Sequence, residues 1–454
     1  MPTISSPSAL DNAGALGSLE RGLPEGWAAA TLADLVEILD SRRVPVNAKE
    51  REHRVGRIPY YGATGQVGTI DGYLFDEELV LLGEDGAPFL DGAKRKAYVI
   101  RGKSWVNNHA HVLRARPCVN CLFLMHELNV VDFRPWVSGT TRLKLPQAPM
   151  RQIPLRVAPL SEQKRIVEAV EARFTRVEAA VAALERVRAK LKQYRASVLR
   201  AACEGRLAGL GLSPTKWTNG QLGGVLDSIK NGIYRPPNVY SEDGVTCLRM
   251  YNIYEGRLLM VDLKHMRLTP AEIDEYELRP GDVLVNRVNS RGIVGKAACV
   301  PDNLGLLVYE SKNMRLRFKD GVHPQFATYW LNAIGIPHFA RNSQQVVGMA
   351  SINQPQVRDL PFRLPPPDEQ CRIVAEVERR LSVTDEITTE VDMGLRRCSR
   401  LRSSILRRAF DGRLVPQNPN DEPAHALLAR ISSQPQVIES PHPRRLRRPA
   451  APAS

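Results

Sequence analysis

Residues 159–209 read PLSEQKRIVEAVEARFTRVEAAVAALERVRAKLKQYRASVLRAACEGRLAG, and residues 366–416 read PPDEQCRIVAEVERRLSVTDEITTEVDMGLRRCSRLRSSILRRAFDGRLVP. The two stretches align without a gap at an offset of 207 residues, with 17 identities in 51 pairs. Identities gather at the ends: Glu162/Glu369, Gln163/Gln370, Arg165/Arg372, then Gly205/Gly412, Arg206/Arg413 and Leu207/Leu414. Between Phe174 and Tyr194 none survives. A repeat with constant ends and a drifting centre describes a spacer of constant length with a docking point at each end. It also divides the chain into two halves of one plan.

Both copies have helical periodicity. Val170, Phe174, Val177, Val181 and Leu184 step by four and three, and Val187, Leu191, Tyr194 and Val198 resume after one skip. That is a coiled-coil seam with a stammer. The second seam is more polar: Val377, Leu381, Val391, Leu401 and Ile405, with Thr384, Thr388, Gly394 and Cys398 between. Ser161 and Asp368 are suitable N-caps, and Gly205 and Gly412 suitable C′ residues. Glu162 to Glu204 is then a helix of ~64 Å. Each copy is acidic first and basic second: Glu162 to Glu185 precedes Arg186 to Arg200, and Glu376 to Asp392 precedes Arg396 to Arg408. Only antiparallel pairing sets each basic half beside an acidic half, and each polarity also suits its own helix dipole.

The intervening segments are rich in short apolar runs broken by Gly, Pro and Asn, such as VLLGEDG at 80–86 and GDVLVNRVN at 281–289. Those are strand and turn signals. Short helices are expected near 119–128 and 324–334. Trp27 and Leu32 match Trp217 and Leu222, so the two modules begin alike. The fold class is α+β: two globular mixed modules, 23–158 and 210–365, separated by a pair of long antiparallel coiled-coil helices, 159–209 and 366–416, with a pseudo-twofold. Residues 1–22 are expected to be a flexible tail, and the Pro/Arg-rich residues 417–454 a disordered one.

The chain has 454 residues and a formal net charge of +14, which favours a polyanionic partner. No apolar run reaches bilayer length, and the start lacks a signal peptide's basic and apolar regions. Seven scattered cysteines fit a reducing cytosol, so the expected location is cytoplasmic. Cys118 and Cys121 form one CxxC, too few ligands for zinc, and are expected to be buried thiols. Pro301-Asp302 and Glu310-Ser311-Lys312 imitate a nuclease motif, but their acids lie too close together in one hairpin. Gly62 to Gly68 lacks the Lys-Ser/Thr of a phosphate loop. The expectation is a non-catalytic chain with no metal and no cofactor of its own.

Polar and basic loops beside strands are the candidates for nucleic-acid contact. They are Lys94-Arg95-Lys96, Asn107-Asn108-His109 and Thr141-Arg142 with Lys144 in the first module. In the second they are Lys230-Asn231, Asn286-Arg287, Asn289-Ser290-Arg291 and Lys312-Asn313. Arg and Lys suit guanine edges in the major groove, and Asn suits adenine.

With these features together, the chain resembles the specificity subunits of type I restriction–modification systems. PLSEQKRIVEAVE and PPDEQCRIVAEVE resemble that family's spacer starts, and CEGRLAG and FDGRLVP its spacer ends. PYYGATGQVGTIDGYLFDEELVLLGEDG (59–86) and GDVLVNRVNSRGIVGKA (281–297) resemble two types of target-recognition domain. The resemblance implies double-stranded DNA as partner, with each domain reading half of a bipartite asymmetric site. It implies two modification subunits docked beside the helices, with S-adenosylmethionine, and restriction subunits using ATP and Mg²⁺. A specificity chain of an orphan or other methyltransferase-based system shares these features. A helical scaffold that binds no DNA is the alternative of a different class.

Overall fold

The structure is a computed structural model that describes residues 16–236, 239–346 and 348–432. The two repeats are single helices of 44 residues each, α1 (Leu160–Cys203) and α2 (Pro367–Phe410). Both start earlier than a cap at Ser161 or Asp368 requires. The carbonyls of Pro159 and Pro366 accept the Gln163 and Gln370 N–H groups at 2.9 and 3.0 Å, which places those prolines at the caps. Proline suits the first helical turn because the N–H it lacks has no intrahelical acceptor there. The ends follow the expected chemistry. Gly205 and Gly412 have φ of +70° and +67°. In each case the next residue returns a 2.8 Å bond into the last turn, Arg206 to Ala201 and Arg413 to Arg408.

The chain forms two compact units, 1–183 with 394–454, and 184–393. In the first, a four-stranded sheet runs in the order Val36–Ile38, Ala110–Ala115, Leu79–Gly83, Ala97–Ile100. Its central strand, LVLLG, is buried at every position, which requires cover on both faces. A second sheet contains Ile58–Gly62 paired in parallel with Lys103–Val106. Ala28–Thr31 pairs with Pro154–Val157, closing the module's entry against its exit. The core joins Trp27, Leu35, Phe123 and Phe133 to Ile166, Val170 and Phe174 of α1 and to Ile405 and Phe410 of α2.

The second unit repeats this plan internally. Its sheet runs Leu226–Asn231, Asn313–Phe318, Val283–Asn286, Ala297–Cys299. Val245–Leu248 pairs in parallel with Leu307–Tyr309, and Thr218–Gln221 pairs with Pro361–Leu364. The expected short helices are present as Cys121–Val130 and Pro324–Trp330.

Within each unit the helix segments are antiparallel. In the second unit Arg188 faces Asp392 at 3.7 Å and Arg195 faces Asp385 at 2.7 Å, so seven residues up one helix are seven down the other. In the first, Arg402 reaches Glu178 at 3.3 Å and covers the Phe174 ring. The expected seam fails in part. Val187, Tyr194 and Leu401 are exposed, and Thr384 is buried where the first copy has Val177. Apolar contact is concentrated toward the helix ends, where the modules add their own side chains.

The tails need correction too. Residues 16–20 form a helical turn, while 1–15 and 433–454 lie outside the described residues. Residues 417–432 are not a disordered tail. A helix α3 (Ala424–Ser432) packs Leu427, Leu428 and Ile431 on the first unit's core, and the Ala424 N–H donates to Gly26 O at 2.8 Å. Buried Asp421 accepts from Arg165 at 2.7 Å. The segment AHALLARIS has helical apolar spacing that the surrounding Pro and Arg content obscures.

Two outcomes are expected. Gln163→Ala removes three hydrogen bonds to buried main chain, from Asn120 N–H and to Cys118 O and Ala158 O. It should cost about 2–4 kcal/mol in urea melts, while exposed Glu168→Ala stays within about 0.5 kcal/mol. Asp421→Asn should cost about 1–2 kcal/mol at neutral pH, tempered by the partial exposure of Arg165. The bond to Arg165 holds the Asp421 carboxyl below its usual 3.8. Its contribution is therefore full above that value and lost as pH falls through the folded-state one. The gap between wild type and Asp421→Asn should close in acid.

Candidate nucleic-acid interface

Three loops of the first unit converge where strand Leu79–Gly83 ends. The Glu84 N–H donates to His109 O at 2.8 Å, and the Leu145 N–H donates to Glu84 O at 2.8 Å. Ser138 and Lys144 exchange a pair of main-chain bonds at 2.9 and 2.8 Å. Asp85 then ties the tips together. It accepts from Arg142 Nε at 2.6 Å and lies 3.3 Å from His109 Nδ1. Asn108, Thr141, Arg142 and Lys144 remain exposed around this tie. An arginine held by a carboxylate is pre-oriented, so less rotamer entropy is lost when it meets a base edge.

Beneath the loops is a buried charged network. His111 is 1% exposed. Its Nδ1 meets Asp40 at 2.6 Å and its Nε2 meets Leu145 O at 2.8 Å. Burial opposes ionisation of Asp40. The bonds from His111 and the Val112 N–H, with the Arg43 charge, outweigh it and hold the pKa low. Asp40, Glu84 and His111 bring three ligand atoms within 4.8 Å of one another, a spacing suited to a cation. Arg43 already occupies that electrostatic role, 2.6 Å from Glu84 and 3.4 Å from Asp40. Both His111 nitrogens also face acceptors. The network is an ion-pair platform beneath the loops.

The second unit repeats the main-chain pattern with other side chains. The Arg287 N–H donates to Lys312 O at 2.8 Å, and the Ile352 N–H donates to Arg287 O at 2.9 Å. Arg287 therefore stands where Glu84 stands in the first unit. The loops are tied here by asparagines. Asn286 Nδ2 donates to Lys312 O and to Asn313 Oδ1 at 3.0 and 3.2 Å, and Asn289 Nδ2 donates to Asn286 Oδ1 at 2.7 Å.

Several expected contact residues are thereby corrected. Asn286, Asn289 and Asn313 are buried structural ties and present no edge to a ligand. Asn107 spends its carbonyl on the His109 N–H at 2.8 Å. Lys96 is 2% exposed, and burial lowers its pKa. Lys94 and Arg95 pair with Asp91 and Glu178, apart from the converging loops. Lys230 pairs with Glu275 at 2.6 Å, and Asn231 keeps a buried Oδ1 without a partner. Ser290, Arg291 and Lys312 are exposed, although Arg291 Nε donates to Ala340 O at 2.7 Å. The residues that sequence reasoning missed are Tyr234 and Tyr251, which are 77% and 65% exposed. Their signal in the sequence is aromatic side chains next to arginine, at Tyr234-Arg235 and Arg249-Met250-Tyr251.

The repeat ends, expected as partner docking points, mostly face inward. Glu162 accepts from Trp27 Nε1 at 3.1 Å, and Glu369 from Trp217 Nε1 at 2.8 Å. Gln370 accepts the His323 N–H at 2.7 Å and donates to Gly321 O and Pro365 O, matching Gln163 bond for bond. Arg165 holds Asp421, and Arg372 donates to Leu210 O at 2.7 Å. Leu207 is buried and Leu414 packs on the core. A side chain at Gly205 would run into Pro214 and Trp217, and one at Gly412 into Pro24. Of this set, Arg206, Arg372 and Arg413 are the exposed members. The repeated tryptophans are the signal that these ends serve the modules.

Residues 24–185 match the family model described as the type I restriction modification DNA specificity domain. The chain is 30% identical over 289 residues to the type I restriction enzyme StySPI specificity subunit of Salmonella potsdam. That match covers 61% of this chain and 62% of the relative, so it spans less than two thirds of the relative's length. It is 26% identical over 352 residues to the EcoKI specificity subunit of Escherichia coli strain K12, covering 71% of this chain and 74% of that one. A solved structure concerned with complex assembly and conformational transition of the type I R-M system aligns with a TM-score of 0.63 at 18% identity. It covers 86% of this chain and 99% of that one, a likeness of fold.

Adjacent substitutions should separate tie from tip. Asn313→Ala should lower stability by about 1–3 kcal/mol, because it removes the buried Oδ1 that accepts from Asn286 and the Nδ2 that donates to Leu248 O. Lys312→Ala should stay within about 0.5 kcal/mol, because its side chain is exposed. Denaturant midpoints of the two variants check this.

Proposed function

We propose that this chain, which matches the type I restriction modification DNA specificity domain model over residues 24–185 and resembles curated specificity subunits, is the DNA-reading subunit of such a complex and carries out no chemistry itself. Each module reads one half of a bipartite, asymmetric duplex site. The observation that carries this reading is the pair of matched loop clusters. The same main-chain bonds, made by Glu84 in one and Arg287 in the other, hold different exposed side chains nearby, Arg142 and Lys144 in one and Ser290 and Lys312 in the other. Equal scaffolds with unequal tips are what two different half-sites require.

The helices set the separation of the half-sites and dock two modification subunits. Apolar side chains that line open cavities along and beside the helices support that role. Leu191, Tyr194, Val383 and Ile387 line one cavity of about 410 Å³, and Val177, Leu401, Ile405 and Leu414 line another of about 360 Å³. Such grooves suit the apolar stripe of a partner helix. S-adenosylmethionine then belongs to the modification subunits, and ATP and Mg²⁺ to restriction subunits. Among the described residues no helix is long and apolar enough to cross a membrane. The proposed place of action is the cytoplasm, on duplex DNA.

Methylome sequencing of the host with and without the gene tests this. A two-part motif with a degenerate gap should vanish with the gene. Complementation with Arg142→Ala/Lys144→Ala should alter bases in one part only and leave the gap and other part unchanged. Loss of no motif on deletion would reject the reading.

A further inference from the structure

The second unit holds a cavity of about 660 Å³ that the loop cluster does not account for. Its walls include Tyr234, Tyr251, Lys264 and Lys312. Two tyrosines 77% and 65% exposed share this one cavity. Solvated tyrosine rings gain substantially when a flat or apolar surface covers them.

Both tyrosines follow main chain that is held in place. Ile233 donates to Tyr309 O at 2.9 Å and its own carbonyl accepts the Ser311 N–H at 2.8 Å, so Tyr234 leaves a pinned strand bridge. Glu310 accepts the Met250 N–H at 2.7 Å, and Arg249 stacks 5.6 Å from the Tyr251 ring centroid. Arg249 is itself held by Asp262 at 2.8 Å. The tyrosines are therefore anchored at their roots and open at their faces.

Charge selects the occupant. Four cations line the cavity, Arg235, Arg249, Lys264 and Lys312, against the acids Glu242 and Glu310. Arg235 is paired with Glu272 and Arg249 with Asp262. Lys264 and Lys312 are exposed and have no side-chain partner among the described residues. Lys312 also belongs to the converging loops, so the cavity and the loop tips form one surface. An anionic ligand with apolar surface beside its charges fits that combination, and a duplex strand, with sugars and thymine methyls next to its phosphates, has that repeat.

We propose that this cavity is a docking surface for one strand of duplex DNA, with Lys264 and Lys312 on its phosphates and the Tyr234 and Tyr251 rings packed against the adjoining sugars and base edges. The proposal rests on the reading of the second module as a DNA reader and adds the contacts by which it holds the strand. It makes the second half-site depend on aromatic packing as well as on charge. The first unit's loop cluster, tied by Asp85 and Arg142, reads through charged and polar tips.

The test uses the full-length chain, together with the subunits that co-purify with it, on labelled duplexes with a randomised interior. The bound pool is sequenced. Wild type should recover a two-part motif. Tyr234→Ala/Tyr251→Ala should reduce enrichment of one part about tenfold, equivalent to about 1.4 kcal/mol, and leave the other part unchanged. Tyr234→Phe/Tyr251→Phe keeps the rings and should restore most of that enrichment. Tyr73→Ala, an exposed tyrosine of the first module, serves as the control. Lys264→Ala/Lys312→Ala should flatten the logarithmic salt dependence of binding by roughly two, about 0.9 per phosphate contact. Thermal melting checks that each variant is folded. A two-part motif that survives the double alanine change at full enrichment, or an unchanged salt slope in the lysine variant, overturns the proposal alone. A wild-type protein that recovers no motif overturns both the DNA reading and the proposal.

Discussion

Each module depends on a buried carboxylate at the first turn of the helix that follows it. Trp27 donates to Glu162, and Trp217 donates to Glu369. A carboxylate loses several kcal/mol of hydration when buried, and it persists only where donors replace the water. Glu162 has one oxygen on the indole and the other without a partner, and burial pushes its pKa up. The neighbouring Gln163 and Gln370 each make three bonds to main chain of their own module. Two adjacent polar side chains therefore commit each helix to one direction of departure. Neither can change without stranding a buried group. That is why the repeat retains its ends. The central residues meet solvent or a salt bridge, where many side chains serve equally.

The helices and their antiparallel pairing were legible because charge and spacing are local properties of sequence. The ion pairs Arg195–Asp385 and Arg402–Glu178 join basic and acidic halves as the polarity required. Burial along the helices was less legible. A period of three and four shows which residues share a face, but not what covers that face. Val187, Tyr194 and Leu401 share the seam's spacing and stay exposed, whereas Ile405 and Phe410 are buried because a module meets them. The helix starts were misplaced for a related reason. Pro159 and Pro366 stand at the caps with only their main-chain carbonyls accepting, to Gln163 and Gln370, so no capping side chain marks the start.

The candidate contact residues divided along the same line. Lys, Arg and Asn in a loop look alike in sequence whether they face solvent or a neighbouring strand. Asn286 and Asn313 stand 27 residues apart and meet only because their strands pair. No local pattern encodes that meeting. Asn108, Arg142 and Lys312 lie at tips where the chain turns and remain free to face a ligand. The tyrosines escaped notice because a single exposed aromatic is common, and the pair becomes informative only when both line one cavity.

The loop clusters hold different side chains on one main-chain scaffold. Glu84 and Arg287 carry opposite charges at matching points of the two modules. Their main-chain N–H and C=O groups make the same two bonds in each unit, to the start of one strand and the residue after a hairpin. Main-chain bonds do not depend on side-chain identity, so the residue that makes them can change from acid to base without disturbing the frame. What must change with it is the packing underneath. The first unit supports its tips on the ion pairs of Arg43 with Asp40 and Glu84 and on the His111–Asp40 contact, and the second on a ladder of buried asparagines. New specificity on this fold therefore requires more than a substituted tip. The tie beneath it has to match, and tip and tie together form the smallest unit that can be exchanged.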